Sequence, residues 1–297
     1  MTMVRPDAPV VVGVDGSETA LDAVRLAVRE AAIRGRSLRV VHAFVWPLLG
    51  VPLGPVPDGP AGGGLRNQAE RIVAEAVAEA GKVAPEVPVT GVVVDGPPTP
   101  VLLAEARDAD LVVLGNRGLG GFAGLLLGSS AVQVGAYAEC PVLVARGEHR
   151  ADGPVVVGVD GSELSDLAVG FAVEEAARRG TELVAVHTWL HPVPLGPGDV
   201  LPLVYDLDAL AAEEERVLAE AVAGWSTRYP EVPIRQRLVR GNASRVLVEA
   251  SKEAQLVVVG ARGRGGLAGL LLGSVSHAVL HHAHCPLAIV RRHGPQE

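Results

Sequence analysis

The sequence predicts an α/β protein made of two tandem copies of one domain, each a five-stranded parallel sheet covered by helices on both faces. Three observations lead there. First, the chain repeats itself at a constant offset of 145 residues: Val10-Val11-Val12-Gly13-Val14-Asp15-Gly16-Ser17-Glu18 returns as Val155 to Glu163. Gly115 to Ser129 likewise returns as Gly260 to Ser274, identical at 12 of 15 positions. His42 and His187, Gly96 and Gly241, and Cys140 and Cys285 keep the same spacing. A period this long marks a whole folding unit, since solenoid modules run about 20–50 residues. Second, β-branched runs alternate with amphipathic helical stretches, the pattern of β-α-β units. Third, 48% of the 297 residues are hydrophobic but only 3% aromatic, so the cores must be filled by Val, Leu, Ile and Ala, as expected of a parallel sheet buried on both faces.

In the first copy the strands are expected near Val10–Val14, Leu38–Val45, Val89–Val94, Leu111–Leu114 and Val142–Ala145. Thr19 to Arg34 reads as a helix with Ala20, Ala23, Val24, Ala27 and Ala31 on one face. Leu65–Val83, Pro97–Arg107 (prolines fit a first helical turn) and Ser129–Ala138 supply the other helices. In the second copy, strands are expected near Val155, Leu183, Ile234, Leu256 and Leu287. Arg146 to Pro154 is polar, ends in Gly-Pro and reads as a linker short enough to make the domains, 1–147 and 153–297, pack together. The Pro/Gly-rich stretches Trp46–Gly64 and Trp189–Pro202 read as mobile connectors or as flaps over a site.

A net charge of −8 argues against a nucleic-acid partner. No apolar run near the N-terminus suits a signal peptide or membrane span, so a cytoplasmic protein without membrane insertion is expected. The two cysteines, each preceding a proline and an apolar strand, read as buried hydrophobes.

The chemistry should lie at the carboxyl ends of the strands, where ligands of open α/β sheets bind. Strand four breaks into Gly115-Asn116-Arg117-Gly118, and Gly128-Ser129-Ser130 opens the next helix. Glycines allow positive φ and close approach to the backbone. Ser129 reads as an N-cap, and its helix N-terminus suits an anion such as phosphate. Gly260, Arg262, Gly263, Gly273 and Ser274 repeat this framework. Asp15 and Asp160 end the first strands, where a carboxylate would accept from a ribose hydroxyl or an adenine amino group. For each feature a plainer reading stays open: turns for the glycines, helix caps for Ser and Asp, solvent for Arg117 and Arg262.

Other motifs fail. Gly118-x-Gly120-x-x-Ala123 follows the fourth strand instead of the first, unlike a dinucleotide fingerprint, and the only lysines, Lys82 and Lys252, lie on expected helices away from any Walker-type loop. His277, His281 and His284 have helical spacing, yet Val132, Ala136 and Glu139 stand in their places in the first copy; a helix C-terminus explains them better than a metal. His42 and His187 read as hydrogen-bonded structural residues.

V-G-V-D-G-S at the first strand, with G-x-x-G-x9-G-S after the fourth, resembles the universal stress protein family in its ATP-binding branch, over nearly the whole chain twice. The resemblance implies doubly wound sheets of order 3-2-1-4-5 and one ATP per domain, with Mg2+ accompanying the phosphates. It implies that Asp15 contacts ribose or adenine, that the backbone near Ala43 reads the adenine edge, and that Gly115, Gly118, Gly128, Ser129 and Ser130 hold phosphates. Asp160, Thr188, Gly260, Gly263, Gly273, Ser274 and Val275 match these positions in the second copy. It also implies pairing of the domains through the fifth strands, Val142-Leu143-Val144 and Leu287-Ala288-Ile289-Val290, between the two halves of one chain, with whole chains dimerising again as a homodimer. Leu119 in place of Arg264 leaves the first mouth less basic, and weaker triphosphate binding is expected there. A nucleotide-dependent regulator of stress or growth, acting through a protein partner that the sequence does not identify, is the leading function. Slow metal-dependent ATP hydrolysis, a non-catalytic oligomeric scaffold and a cyclic-nucleotide binder stay open, and the sequence offers no element for fast turnover.

Overall fold

The computed structural model describes residues 7–45, 64–117, 128–190, 206–264 and 271–291. The first half contains β1 (Val10–Gly13), α1 (Glu18–Arg34), β2 (Leu38–Phe44), α2 (Leu65–Val83), β3 (Val89–Asp95), α3 (Pro98–Ala106), β4 (Leu111–Gly115), α4 (Ser129–Tyr137) and β5 (Val142–Ala145). The second contains β6 (Val155–Val159), α5 (Glu163–Arg179), β7 (Leu183–Trp189), α6 (Leu207–Val222), α7 (Trp225–Arg228), β8 (Ile234–Arg240), α8 (Ala243–Ala250), β9 (Leu256–Gly260), α9 (Ser274–His282) and β10 (Leu287–Val290). The two stretches read as connectors or flaps lie almost wholly outside the described residues, as do Gly118 and Leu119.

One ten-stranded sheet joins the halves in the order β3-β2-β1-β4-β5-β10-β9-β6-β7-β8. Each half has the expected 3-2-1-4-5 order with parallel pairing. The fifth strands β5 and β10 pair antiparallel, with Leu143 opposite Ala288 and Val142 and Val144 opposite Ile289 and Leu287. Leu143 and Ala288 are repeat equivalents, so the register centres a pseudo-twofold axis on the seam. The fifth-strand pairing is therefore made inside one chain, which covers both apolar edges and leaves β3 and β8 outermost. β8 carries Arg235, Arg237 and Arg240, charges that disfavour further strand pairing.

The helices form two layers. α1, α2, α5 and α6 pack with one face of the sheet, and α3, α4, α8 and α9 with the other, each layer enclosing a core that runs across both halves. Local signals explain α1 and α5. Ser17 and Ser162 cap them by accepting from Ala20 N and Ser165 N, and Gly35 and Gly180 end them in left-handed geometry at φ +62 and +61, where glycine carries no Cβ penalty.

A buried charge network crosses the seam between α1 and α5. Arg34 bonds Asp110 at 3.1 Å and Glu175 at 2.6 Å, Arg178 bonds Glu175 at 2.6 Å, and Arg179 reaches both Glu30 and Glu175. Glu30 and Arg34 face each other at 3.5 Å without an aligned hydrogen bond. Glu30 with Glu175, and Arg34 with Arg179, are repeat equivalents. Burial raises the Glu30 pKa above the carboxylate range against the pull of Arg179. For Glu175, burial is outweighed by Arg34, Arg179 and Arg178, and its pKa is lowered.

Cys140 and Cys285 are free and buried, and burial pushes both thiols up to about 12. Among the described residues no helix is long and apolar enough to cross a membrane.

Candidate functional site

At the carboxyl ends of β6, β7 and β9 the second half opens a cavity of about 380 Å³ on the α8/α9 side. Asp160, Thr188, Gly260, Arg262, Gly263, Gly273, Ser274 and Val275 all line it. The strand ends and the start of α9 converge here because parallel strands place all their carboxyl ends on one edge.

Asp160 organises the mouth. Ser162 donates to its Oδ1 from both the backbone N (3.0 Å) and Oγ (2.6 Å), and the backbone N of Arg264 donates to Oδ2 at 2.9 Å. A carboxylate offers about four acceptor positions, so three donors leave little spare capacity. The Arg264 side chain folds back onto the Gly161 carbonyl at 3.3 Å. In the first half, Ser17 donates to Asp15 in the same way, at 3.0 and 2.6 Å, and Thr19 donates to the Arg117 carbonyl at 2.7 Å.

The serine caps differ from expectation. Gly128 and Gly273 occupy the N-cap positions of α4 and α9 without any side-chain cap, and Ser129 and Ser274 are the first helical residues. The first-turn amides of α9 are thus left uncapped by a side chain at the cavity wall, a setting that favours an anion.

The glycines also have a different reason from the expected one. None of Gly115, Gly128, Gly260, Gly263 and Gly273 has positive φ, whereas Gly16 and Gly161 in the D-G-S turns do, at +88 and +68. A Cβ on Gly115 would stand 2.8 Å from the Thr19 carbonyl oxygen, one on Gly260 3.1 Å from that of Leu164, and one on Gly273 3.3 Å from Arg262 Cα; on Gly263 it would overlap Asp160 Oδ2. Close packing of the loops on each other therefore explains Gly115, Gly260, Gly263 and Gly273 without a ligand. Substituting Gly263 would displace Asp160 before it met any phosphate, so such a variant does not report on ligand geometry.

Among the described residues Arg262 has no carboxylate partner. Arg291 follows β10 beside it, and burial together with the Arg262 charge lowers the Arg291 pKa. Arg146 and Arg117 repeat this pairing in the first half. Residues 118–127 lie outside the described residues. Ala43, partly buried, packs with the α3/α4-side core.

Two polar side chains of the pocket have no counterpart among the sequence candidates, Ser165 and Ser276. Ser165 Oγ accepts from Asp160 N at 3.1 Å, and Ser276 Oγ donates to the Gly260 carbonyl at 2.6 Å. Both sit on apolar helix faces where the first half has Ala20 and Ala131, and that mismatch between copies was the available signal. His42 and His187 make hydrogen bonds through Nδ1 to the carbonyls of Val14 (2.8 Å) and Val159 (2.6 Å), and His187 Nε2 lies 2.6 Å from Glu214. His277 and His281 lie 4.5 Å apart, ring to ring, and no cluster suited to a metal occurs among the described residues.

The universal stress protein family model matches residues 8–146 and again 153–291. The chain belongs to the universal stress protein family. A universal stress protein of Mycobacterium tuberculosis is 40% identical over 302 residues, covering 98% of this chain and 100% of its own, and one from Mycolicibacterium smegmatis is 35% identical over 292 residues, covering 95% and 96%. The crystal structure of a universal stress protein from Archaeoglobus fulgidus shares the fold, with a TM-score of 0.67 at 18% identity, covering 99% of this chain and 100% of its own. A shorter universal stress protein solved in complex with cAMP aligns with 47% of this chain and 96% of its own at 31% identity, with a TM-score of 0.32.

Proposed function

We propose that this universal stress protein binds ATP, one molecule per unit (1–147 and 153–297), and acts as a nucleotide-dependent regulator of stress or growth. One observation carries the reading: residues from three strand ends and one helix N-terminus, chosen for this chemistry from sequence, line a single cavity with an uncapped helix start and an arginine that no described carboxylate pairs with. Triphosphate would lie against the α9 amides and Arg262, with Mg2+ accompanying it. The adenosine end would face Asp160 and the Thr188 backbone, as Asp15 and Ala43 would serve the first unit. A regulatory protein partner would read the occupied state, which requires that ATP favour one of two conformations. A dimer of whole chains would use a surface other than the fifth strands, and sedimentation equilibrium would detect it.

The test is Ser274→Asp. A carboxylate in the first turn of α9 suits the helix dipole but repels phosphate. The expected result is retained thermal stability with ATP binding at the second unit lost in calorimetry; unchanged ATP affinity would refute the placement. Denaturing the purified protein and identifying any released nucleotide separates ATP from a cyclic nucleotide or from none. Phosphate release well below one turnover per minute fits a regulator, and fast metal-dependent release would identify an enzyme instead.

A further inference from the structure

The cavity of the second half carries hydroxyls at positions where the first half has only methyl groups. Ser165, Thr188 and Ser276 line it, and their repeat equivalents are Ala20, Ala43 and Ala131. The glycine loops around them are nearly the same in both halves, so the difference is concentrated on the lining. We propose that Ser165 and Thr188 are specificity-determining residues of the second mouth, donating hydrogen bonds to acceptor atoms on the base or ribose of its nucleotide. Given the nucleotide reading above, on which this assignment rests, the two units of one chain select their ligands by different contacts.

The three hydroxyls differ in what they have left to give. That of Ser276 is committed, donating to the Gly260 carbonyl at 2.6 Å. Ser165 Oγ accepts from Asp160 N at 3.1 Å, but its own hydrogen meets no acceptor among the described residues. Ser165 is only 3% exposed, and buried polar groups are ordinarily paired. Because Ser165 lines the cavity, the partner of that hydrogen is whatever occupies the cavity. Thr188 Oγ1 likewise has no partner among the described residues. Val184 and Val186, earlier on β7, belong to the core on the α8/α9 side, and alternation along a strand sets Thr188 on that same face, where the cavity lies.

The surroundings raise what these groups are worth. Val159, Val186, Leu247 and Val259 supply an apolar wall, against which an unpaired hydroxyl is costly. A few placed polar groups on such a wall fix the orientation of a ligand. Asp160, by contrast, already holds three donors, so discrimination between ligands falls to the hydroxyls beside it. A site built to hydrogen-bond a ligand rejects an analogue that lacks the matching group. Ala20 and Ala43 can make no such bond. The hydroxyl that the first half has in exchange, Ser130 against Val275, lies in the first turn of α4 and not at a strand end.

Calorimetry on the full chain carrying Ser129→Asp, which blocks the first mouth as Ser274→Asp blocks the second, reads the second mouth alone. ATP is compared with analogues in which one ring nitrogen of the adenine is replaced by C–H, and with deoxy analogues that lack one ribose hydroxyl. At least one analogue is expected to bind about tenfold more weakly than ATP, and that deficit should shrink to within about twofold in Ser165→Ala or in Thr188→Ala. Both substitutions copy the residue of the first half, so folding is expected to be retained. The ratio of affinities is the readout, because a hydroxyl that only braced Asp160 would change the binding of ATP and of every analogue alike. A deficit that persists undiminished in both variants, or no deficit with any analogue, would overturn the proposal while leaving ATP binding in place. No ATP bound by the wild type would instead defeat the nucleotide reading, and this assignment with it.

Discussion

The two halves share a framework but solve the packing of α1/α2 and of α5/α6 differently. In the first half Arg25 of α1 bonds Glu79 of an unbroken α2 at 2.7 Å. The equivalent residues in the second half are both glycine. Gly224, at φ +79, breaks the helix into α6 and α7, and the Trp225 ring lies over Gly170, 3.0 Å from where a Cβ would stand. An ion pair on one side is thus replaced on the other by an aromatic ring seated on a glycine. Duplication preserved the strand ends and the turns, while the helix surfaces drifted as compensating sets. The pockets drifted too: Ser165 and Ser276 brace the second mouth at positions where the first half has Ala20 and Ala131.

The seam offers the largest effect with which to challenge this comparison. Glu30 and Glu175 are equivalent by repeat, yet Glu175 accepts from three arginines and Glu30 from Arg179 alone. Removing one member of a buried charge network costs about 3–5 kcal/mol because its partners stay buried and unpaired. Glu175→Ala should approach that range in urea denaturation and Glu30→Ala should fall clearly below it; equal losses would mean the seam is symmetric in energy as well as in sequence.

A smaller effect is expected at the aromatic substitute. Trp225→Ala should cost about 2 kcal/mol, less than the roughly 3–5 of a fully buried ring, since Trp225 is only partly buried. Gly170→Ala should destabilise the wild type but be nearly neutral in Trp225→Ala, and a double-mutant cycle measures that coupling. Arg25→Ala in the first half should lower the melting temperature less than Trp225→Ala does, because its ion pair is partly exposed.

The pH dependence sharpens the asymmetry further. The Glu30 pKa is raised in the fold, so its contribution is complete below the ordinary glutamate value of about 4.3 and declines as pH rises through the native value. The Glu175 pKa is lowered, so its contribution is present above that ordinary value and is lost as pH falls through the native one. Urea midpoints of Glu30→Gln and Glu175→Gln between acid and neutral pH should therefore diverge from the wild type in opposite senses; parallel curves would contradict this assignment.

Most of the architecture was legible in the sequence. The β-branched runs and the Ser and Gly caps of α1 and α5 are local signals, and the structure places each expected strand within a residue or two. The break between α6 and α7 was not anticipated, although Gly224 in place of Glu79 was its visible cause. In the second half the residues chosen from sequence line one cavity, but two details of their local structure differ from expectation. Gly273, not Ser274, caps α9, because the chain enters that helix one residue earlier than the serine suggested. The loop glycines are small because neighbouring backbone and Asp160 press on them, a tertiary fact with no signature in spacing.

By itself the sequence determined that there are two copies, where their strands and turns fall, and which strand ends share an edge, since these follow from periodicity and local backbone chemistry. Only the tertiary structure decided that β5 meets β10 within one chain and that Glu30, Arg34, Glu175 and Arg179 form one network. Periodicity reports that a residue is buried but not against what. Residues 145 positions apart along the chain become neighbours only across the axis that relates the two halves.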